Sequence, residues 1–461
     1  MKASIHQTVV PESGSHSREG RNDSSKRNRI LTLSTIAFTL MFAVWLMFGV
    51  LGIPIRDEFG LTDIQLGWLA AVAILNGSLW RLLFGIVTDR YGGRIVFTLL
   101  LLFTAVPTYL ITRAGTFEQL LVYAFLLGIA GNSFNVGISW NSAWFPKNRQ
   151  GVALGVLGAG NVGASVTKLI GPTLITLIPV TGLADGLIPG GWRFIPILYT
   201  ALLLIMAAIL WFGTPAEDRK PARGRPMRDL LRPIRSIRVW RFSLYYVVVF
   251  GAYVGLAAWL PKYYVDVYGL PLDRAALLTA LFIFPASLLR PLGGWLSDRF
   301  GARRVMYWVF GTMFVALLFL AAPSGHVVLY VPDRFEADGA REVMRFAMGA
   351  GPFTTLLCLL GVGMGIGKAA VYKHIPEYFP DDVGAVGGLV GLIGALGGFM
   401  LPLLFAYTYE WIELPQSTFM ILLAITSAGF IWMHLTVVKM LQHASPELRH
   451  KIEHGAVNVN S

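Results

Sequence analysis

Apolar residues in this chain do not alternate with polar ones. They run on for about twenty residues at a time, break at short polar clusters and start again. Stretches such as Leu99 to Phe103 and Leu202 to Ile209 are apolar throughout. A helix rises 1.5 Å per residue, so about 20 residues cross the ~30 Å hydrocarbon core of a bilayer. Twelve such segments are predicted, near 31–54, 62–87, 95–113, 117–144, 151–178, 194–213, 240–263, 271–296, 304–322, 350–377, 384–408 and 417–438. A membrane β-barrel would instead show alternating segments of about ten residues. The expected fold class is therefore an all-α integral membrane protein with twelve transmembrane helices.

Composition agrees. Of 461 residues, 55% are hydrophobic and 14% charged, with a mean hydropathy of +0.61, against roughly 25% charged for soluble domains. The net charge of +12 is not a nucleic-acid footprint, because the basic residues form no stripe. They lie in the N-terminal tail (Lys26, Arg27, Arg29), between Arg219 and Arg238, and in the short loops at Arg90/Arg94, Lys147/Arg149 and Arg303/Arg304. If the segments alternate in direction, all of these fall on one side. Positive-inside bias makes that side cytoplasmic, with both termini, in a multi-pass protein of the cell (inner) membrane. The connection near 323–349 is the basic exception on the other side. Cys358 is the single cysteine, so no disulfide forms within the chain. Residues 1–29 read as a disordered cytoplasmic tail, and the first apolar run as a retained helix.

The Pro- and Arg-rich stretch 214–238 divides the segments six and six: an N-terminal half over 30–213, a cytoplasmic linker over 214–238, a C-terminal half over 239–440 and a cytoplasmic tail over 441–461. The halves repeat. Arg81-x7-Asp89-Arg90-x-Gly92 recurs as Arg290-x7-Asp298-Arg299-x-Gly301 at a constant offset of 209, which Gly85/Gly294 and Arg94/Arg303 also keep. Gly151-x3-Gly155-x2-Gly158-Ala159 recurs as Gly387-x3-Gly391-x2-Gly394-Ala395 at an offset of 236. Internal repeats with the substrate site at mid-membrane between them are a common transporter plan. The two loop motifs resemble those of the major facilitator superfamily. That resemblance implies two pseudo-symmetric six-helix halves, alternating access, and a cytoplasmic gating role for Asp89, Arg90, Asp298 and Arg299. Without it, these residues read as solvated, orientation-setting charges.

The charges deepest in the apolar segments are all positive: Arg81, Arg290, Lys168 and Lys368. Each costs at least ~2.5–3.5 kcal/mol to insert, and no Asp or Glu lies at comparable depth to neutralise them. The natural partner is an anion that comes and goes. Arg81 and Arg290 sit alike in segments two and eight, so pseudo-symmetry would turn them toward each other. Guanidinium forks suit a small planar oxyanion. The bland alternative is a pair of snorkelling arginines near helix ends. Gly158-Ala159-Gly160-Asn161-Val162-Gly163 and Gly394-Ala395-x-Gly397-Gly398 would let backbone approach a neighbouring helix or a ligand closely, and Asn161 adds an amide.

These arginines and glycine stretches together resemble the nitrate/nitrite porter (NarK-like) family of the same superfamily. The resemblance implies nitrate held between Arg81 and Arg290, with Gly160, Asn161, Gly163, Gly394 and Gly397 around it. It also implies a hydroxyl from Tyr246 and Phe rings sandwiching the anion, for which Phe250 and Phe134 are the candidates. Lys168, Lys368 and Lys373 resemble the branch that moves nitrate together with protons for assimilation. A neutral lysine amine near two fixed guanidiniums could take a proton as the anion arrives and lose it as the anion leaves. Lys168, Lys368 and Lys373 are thus proton-coupling candidates, with His374 and Glu377 as weaker ones. Alternatively the lysines only tune the field, and the protein exchanges nitrate for nitrite.

The expected partners are nitrate, protons and the lipid bilayer, with nitrite open as a second substrate, acting on a monomer. A carrier of phosphate esters or carboxylates is a more distant alternative; a phosphate ester is larger and dianionic and would want a roomier site. A membrane enzyme would need a nucleophile–base pair or a metal cluster, neither of which the chain shows, and a sensor would need an output domain. No enzyme activity, cofactor or metal is expected.

Overall fold

Helices in this chain start and stop on local chemistry. The Thr62 hydroxyl accepts from the Gln65 N–H while the Gln65 side chain takes the Thr62 N–H, a capping box that opens the helix at Asp63. Thr116 accepts from the Gln119 N–H at the next such start. Gly60 and Gly269 end their helices at φ 63°, in the left-handed region that favours glycine. Gly92 and Gly301, equivalent residues of the repeated loop motif, turn the chain at φ 92° and 83°.

The structure is a computed structural model that describes residues 15–183, 188–220, 235–323, 325–330, 340–346, 348–379 and 383–444. Among these, twelve apolar spans emerge in order: Asp23–Phe59, Asp63–Leu79 continued by Arg81–Tyr91, Gly93–Ile111, Phe117–Trp144, Val152–Leu177, Gly191–Gly213, Ile237–Tyr268, Leu272–Phe300, Ala302–Leu320, Ala350–Ile375, Val386–Ile412 and Ser417–Leu441. We call them spans one to twelve. The protein is an all-α membrane protein at its core, as the apolar runs predict.

Two features differ from expectation. The first helix begins at Ser15 rather than near residue 31, so the described part of the tail is not irregular. No proline interrupts it there, and Asp23 pairs with Arg219 at 2.9 Å. Second, the connection between spans nine and ten holds an antiparallel hairpin, Gly325–Tyr330 with Ala340–Phe346, with a register shift between Val327 and Val328. Its Val-Val-Leu-Tyr run suits a strand but is too short to read as a span. Most of the expected linker, residues 221–234, and the tail from 445 lie outside the described residues.

Burial separates the spans. The most apolar stretches of spans one and seven are each 83% buried, against 22% for span twelve. The first two line the centre, and the last turns side chains such as Leu435 and Ile431 outward. Phe212, Val106 and Leu99 also point out, an apolar perimeter of the kind a bilayer covers. Spans one to six meet spans seven to twelve along three seams: two against eleven, five against eight, and one against seven.

Candidate functional site

Span two breaks at one residue, Trp80, and bends by 43°. Arg81 starts the second piece. Span eight breaks likewise at Leu289, and Arg290 starts its second piece. Both side chains are buried, Arg81 completely and Arg290 at 7% exposure.

Arg81 uses the break. Its Nε donates to the Gly77 carbonyl at 3.0 Å, and one terminal nitrogen lies 3.5 Å from the Gly391 carbonyl on span eleven. Its guanidinium carbon stands 5.2 Å from the Phe250 ring and 5.8 Å from Trp45. Asn135 holds the backbone, donating to the Arg81 carbonyl at 2.9 Å. The guanidinium of Arg290 lies 4.9 Å from the Phe134 ring and 5.8 Å from Tyr372. Gly158 on span five clears its path, since a Cβ there would stand 2.9 Å from Arg290 Cδ.

Aromatic rings floor the site. Tyr246 stacks on Phe250 at 4.9 Å and meets Tyr372 edge-on at 5.0 Å. Between Tyr246 and Ala252 the helix widens into a π turn, Val247–Gly251, a local irregularity that often marks functional sites. Phe134 leans on Phe38 at 5.4 Å. Gly394 leaves room for Tyr246, whose ring a Cβ would strike, and Gly391 for the Tyr372 hydroxyl.

Four buried donors here have no hydrogen-bond partner: Arg81 Nη2, Arg290 Nη1, the Tyr246 hydroxyl and Asn161 Nδ2. Among the described residues, no Asp or Glu is buried. Buried donors without acceptors are costly, and an oxyanion is the acceptor that would satisfy them.

The glycines border different neighbours. Gly160 and Gly163 face span one: a Cβ on Gly160 would meet Phe38, and one on Gly163 would strike the Thr39 carbonyl. Gly397 lies against Val247. Their smallness serves close helix approach, whereas Gly158 and Gly394 border an arginine and a tyrosine.

The lysines also separate. Lys368 is fully buried beside Arg290. Its ammonium donates to the Ala286 carbonyl at 2.9 Å and sits 3.2 Å above the Tyr253 ring. Lys168, equally buried, donates to its own helix at the Ala164 carbonyl, 3.2 Å away, two turns along span five from Asn161. Lys373 lies apart from these two. It is 40% exposed and pairs with Asp298 at 2.5 Å, because a position one residue past Tyr372 turns to the helix face at the loop motif. His374 stacks on Phe242 at 5.4 Å, with Glu377 at 3.8 Å.

Of the loop-motif charges, Asp298 therefore joins span ten. Asp89 is half-buried, and Arg90 and Arg299 are exposed, lying over Tyr91 and over Trp295 and Phe300. A carboxylate that the sequence did not single out, Asp218, binds the Arg94 N–H and the indoles of Trp140 and Trp144 at 2.8–2.9 Å. At the opposite end of the spans, Arg56 and Asp63 meet Lys262 and Asp266 in one ion cluster across the seam of spans one, two and seven. Tyr372 lies four residues after Lys368 and hence on the same helix face, a spacing by which the sequence marks it.

A family model described as Major Facilitator Superfamily matches residues 33–332 and 275–454. The chain is 68% identical over 427 residues to "Probable nitrate/nitrite antiporter NarK1" of Thermus thermophilus, covering 93% of this chain and 95% of the relative. It is 29% identical to "Nitrite extrusion protein" of Bacillus subtilis (strain 168), covering 88% and 94%. It is 28% identical to "Probable nitrate transporter NarT" of Staphylococcus haemolyticus, covering 87% and 95%. Among solved structures, a bacterial homolog of the human lysosomal transporter Spinster, inward-facing and occupied, superposes with a TM-score of 0.66 at 17% identity, covering 90% of this chain and 98% of that one. At that identity the likeness is one of fold.

Proposed function

The chain belongs to the nitrate/nitrite porter (NarK-like) family of the major facilitator superfamily, and on that footing we propose that it carries nitrate across the cell (inner) membrane by alternating access, holding the anion between Arg81 and Arg290. The observation that carries this reading is the set of unpartnered buried donors at Arg81, Arg290, Tyr246 and Asn161 with no buried carboxylate among the described residues. Nitrate is planar, singly charged and rich in acceptors. It can take paired charge-assisted hydrogen bonds from two guanidiniums and lie against Phe250 and Phe134. Spans one to six and seven to twelve are the two moving halves, with the linker and both termini in the cytoplasm.

For the energy source, the reading is nitrate–proton symport by a monomer, feeding nitrate assimilation. Lys368 is the leading proton carrier, since it is buried next to Arg290 and anion arrival would offset the like charge there. Lys168 is the second candidate. A nitrate/nitrite antiporter is the alternative, favoured by the name of the Thermus thermophilus relative.

Nitrate uptake into proteoliposomes decides between them, run with and without an inward proton gradient and with or without internal nitrite. Accumulation that needs the gradient and ignores internal nitrite supports symport. Uptake that needs internal nitrite and ignores the gradient supports exchange. No nitrate movement under any condition overturns the carrier reading itself.

A further inference from the structure

Tyr253 is fully buried on span seven, three residues past Phe250. One face of its ring carries the Lys368 ammonium at 3.2 Å from the centroid. Its hydroxyl donates to the Asn161 carbonyl at 3.1 Å, a bond that crosses from span seven to span five. Because its one proton is committed there, the Ser287 hydroxyl, 3.0 Å away, is the donor to the tyrosine oxygen. Ser287 follows Ala286, whose carbonyl accepts from Lys368, and they stand two and three residues before the break at Leu289 that presents Arg290. Tyr253 also lies 6.4 Å from Phe250, the ring beneath Arg81, and the Lys368 ammonium stands 5.7 Å from that second ring.

One side chain thus meets the buried lysine, a serine hydroxyl just before the break at one arginine, the ring beneath the other, and the opposite half of the protein. Only a charged ammonium is held strongly on a ring face, most of all where both are desolvated. We propose that Tyr253 is a positioning residue that passes the charge state of Lys368 to the seam between spans five and eight. The charged lysine fixes the ring and keeps the hydroxyl on Asn161. The neutral amine releases the ring and loosens that bond. This deepens the nitrate-carrier reading and rests on it. Among the groups facing Lys368, the charged one is Arg290 from span eight. Span seven presents the Tyr253 and Phe250 rings, and span nine presents Val309 and Met313 to this stretch of span ten.

The test is nitrate counterflow in proteoliposomes between about pH 6 and 9, a range below the ordinary lysine value of about 10.4. Counterflow is a partial reaction open to symporter and antiporter alike. The variants are Tyr253→Phe, Lys368→Gln and the two combined. Tyr253→Phe keeps the ring and removes the bond across the seam. We expect it to slow counterflow by about fivefold or more and to flatten the pH profile to that of Lys368→Gln. In the Lys368→Gln background it should cost less than about twofold, the non-additivity of residues that act together. Equal losses in both backgrounds, or a wild-type pH profile in Tyr253→Phe, would reduce Tyr253 to a packing role and overturn the proposal. If Tyr253→Phe does not fold, Ser287→Ala removes the donor to the same oxygen. A wild-type profile there overturns the proposal, and a flattened one supports it. Wild-type liposomes without any counterflow would sink the carrier reading and this inference together, whereas counterflow with additive losses sinks the inference alone.

Discussion

Trp80 and Leu289 share one backbone conformation, φ −93° with ψ 3° and φ −83° with ψ 3°, and each stands immediately before a buried arginine. They are 209 positions apart, the offset of the repeated motif. Each break interrupts the helical hydrogen-bond ladder at mid-span, where freed carbonyls need donors. Arg81 answers with its Nε on the Gly77 carbonyl, which spends one donor and leaves Nη2 without a partner. The same interruption that places the charge also orients it.

If the forks matter and not only the charge, Arg81→Lys and Arg290→Lys should each abolish nitrate uptake. A lysine keeps the charge and loses paired donors worth about 1.5–3 kcal/mol each, so the loss should be on the order of 100-fold. Nitrate binding to purified variants, alongside uptake, checks this. Wild-type-like uptake in either variant would defeat the site.

The two buried lysines should behave differently under a pH series. Lys368 lies beside Arg290 and on Tyr253, whereas Lys168 is held by its own helix. Lys368→Gln should therefore flatten the pH dependence of uptake more than Lys168→Gln does. If both variants stay as pH-dependent as wild type, lysine coupling is wrong.

Glycine substitutions should grade by what a Cβ would meet. Gly387→Ala places its Cβ 3.5 Å from Tyr372 Cε1, an ordinary contact, and should leave expression and uptake near wild type. Gly394→Ala drives into the Tyr246 ring, so uptake should fall while the protein remains folded, overpacking costing typically about 1–3 kcal/mol. Gly163→Ala meets the Thr39 backbone carbonyl, which cannot swing aside, and should lower the thermal midpoint most. An uptake defect without a stability loss in Gly163→Ala would place that glycine at the anion after all.

The ion cluster at the end of the spans opposite the termini should hold that end shut. Lys262 is 5% exposed and lies 3.0 Å from Asp63, bridging span seven to span two. Asp63→Asn should weaken the bridge. A cysteine placed at Ala258, beside Lys262 in the small cavity with Gly52 and Ala70, should then react several-fold faster with an impermeant maleimide in a Cys358→Ser background. Unchanged labelling would mean that packing alone keeps this end closed.

Span number, the repeat and the buried positive charges were legible in the chain because each depends on local hydropathy or on residue identity at a fixed offset. Twenty apolar residues need a bilayer wherever they occur, and Arg81 and Arg290 are deep whatever surrounds them. The break residues, the facing of each glycine, the pairing of Lys373 with Asp298, and the places of Tyr372, Tyr253 and Asp218 were not legible. A span that is apolar all round has no strong amphipathic face, so its sequence leaves rotation about its own axis open, and each residue turns that axis by about 100°. Gly160 and Gly158 differ by two positions, yet one meets Phe38 and the other Arg290. Only the packing of spans one, five and eight against each other selects which face of span five meets which neighbour. The chemistry was therefore written in the chain, and the tertiary structure decided which of its parts touch.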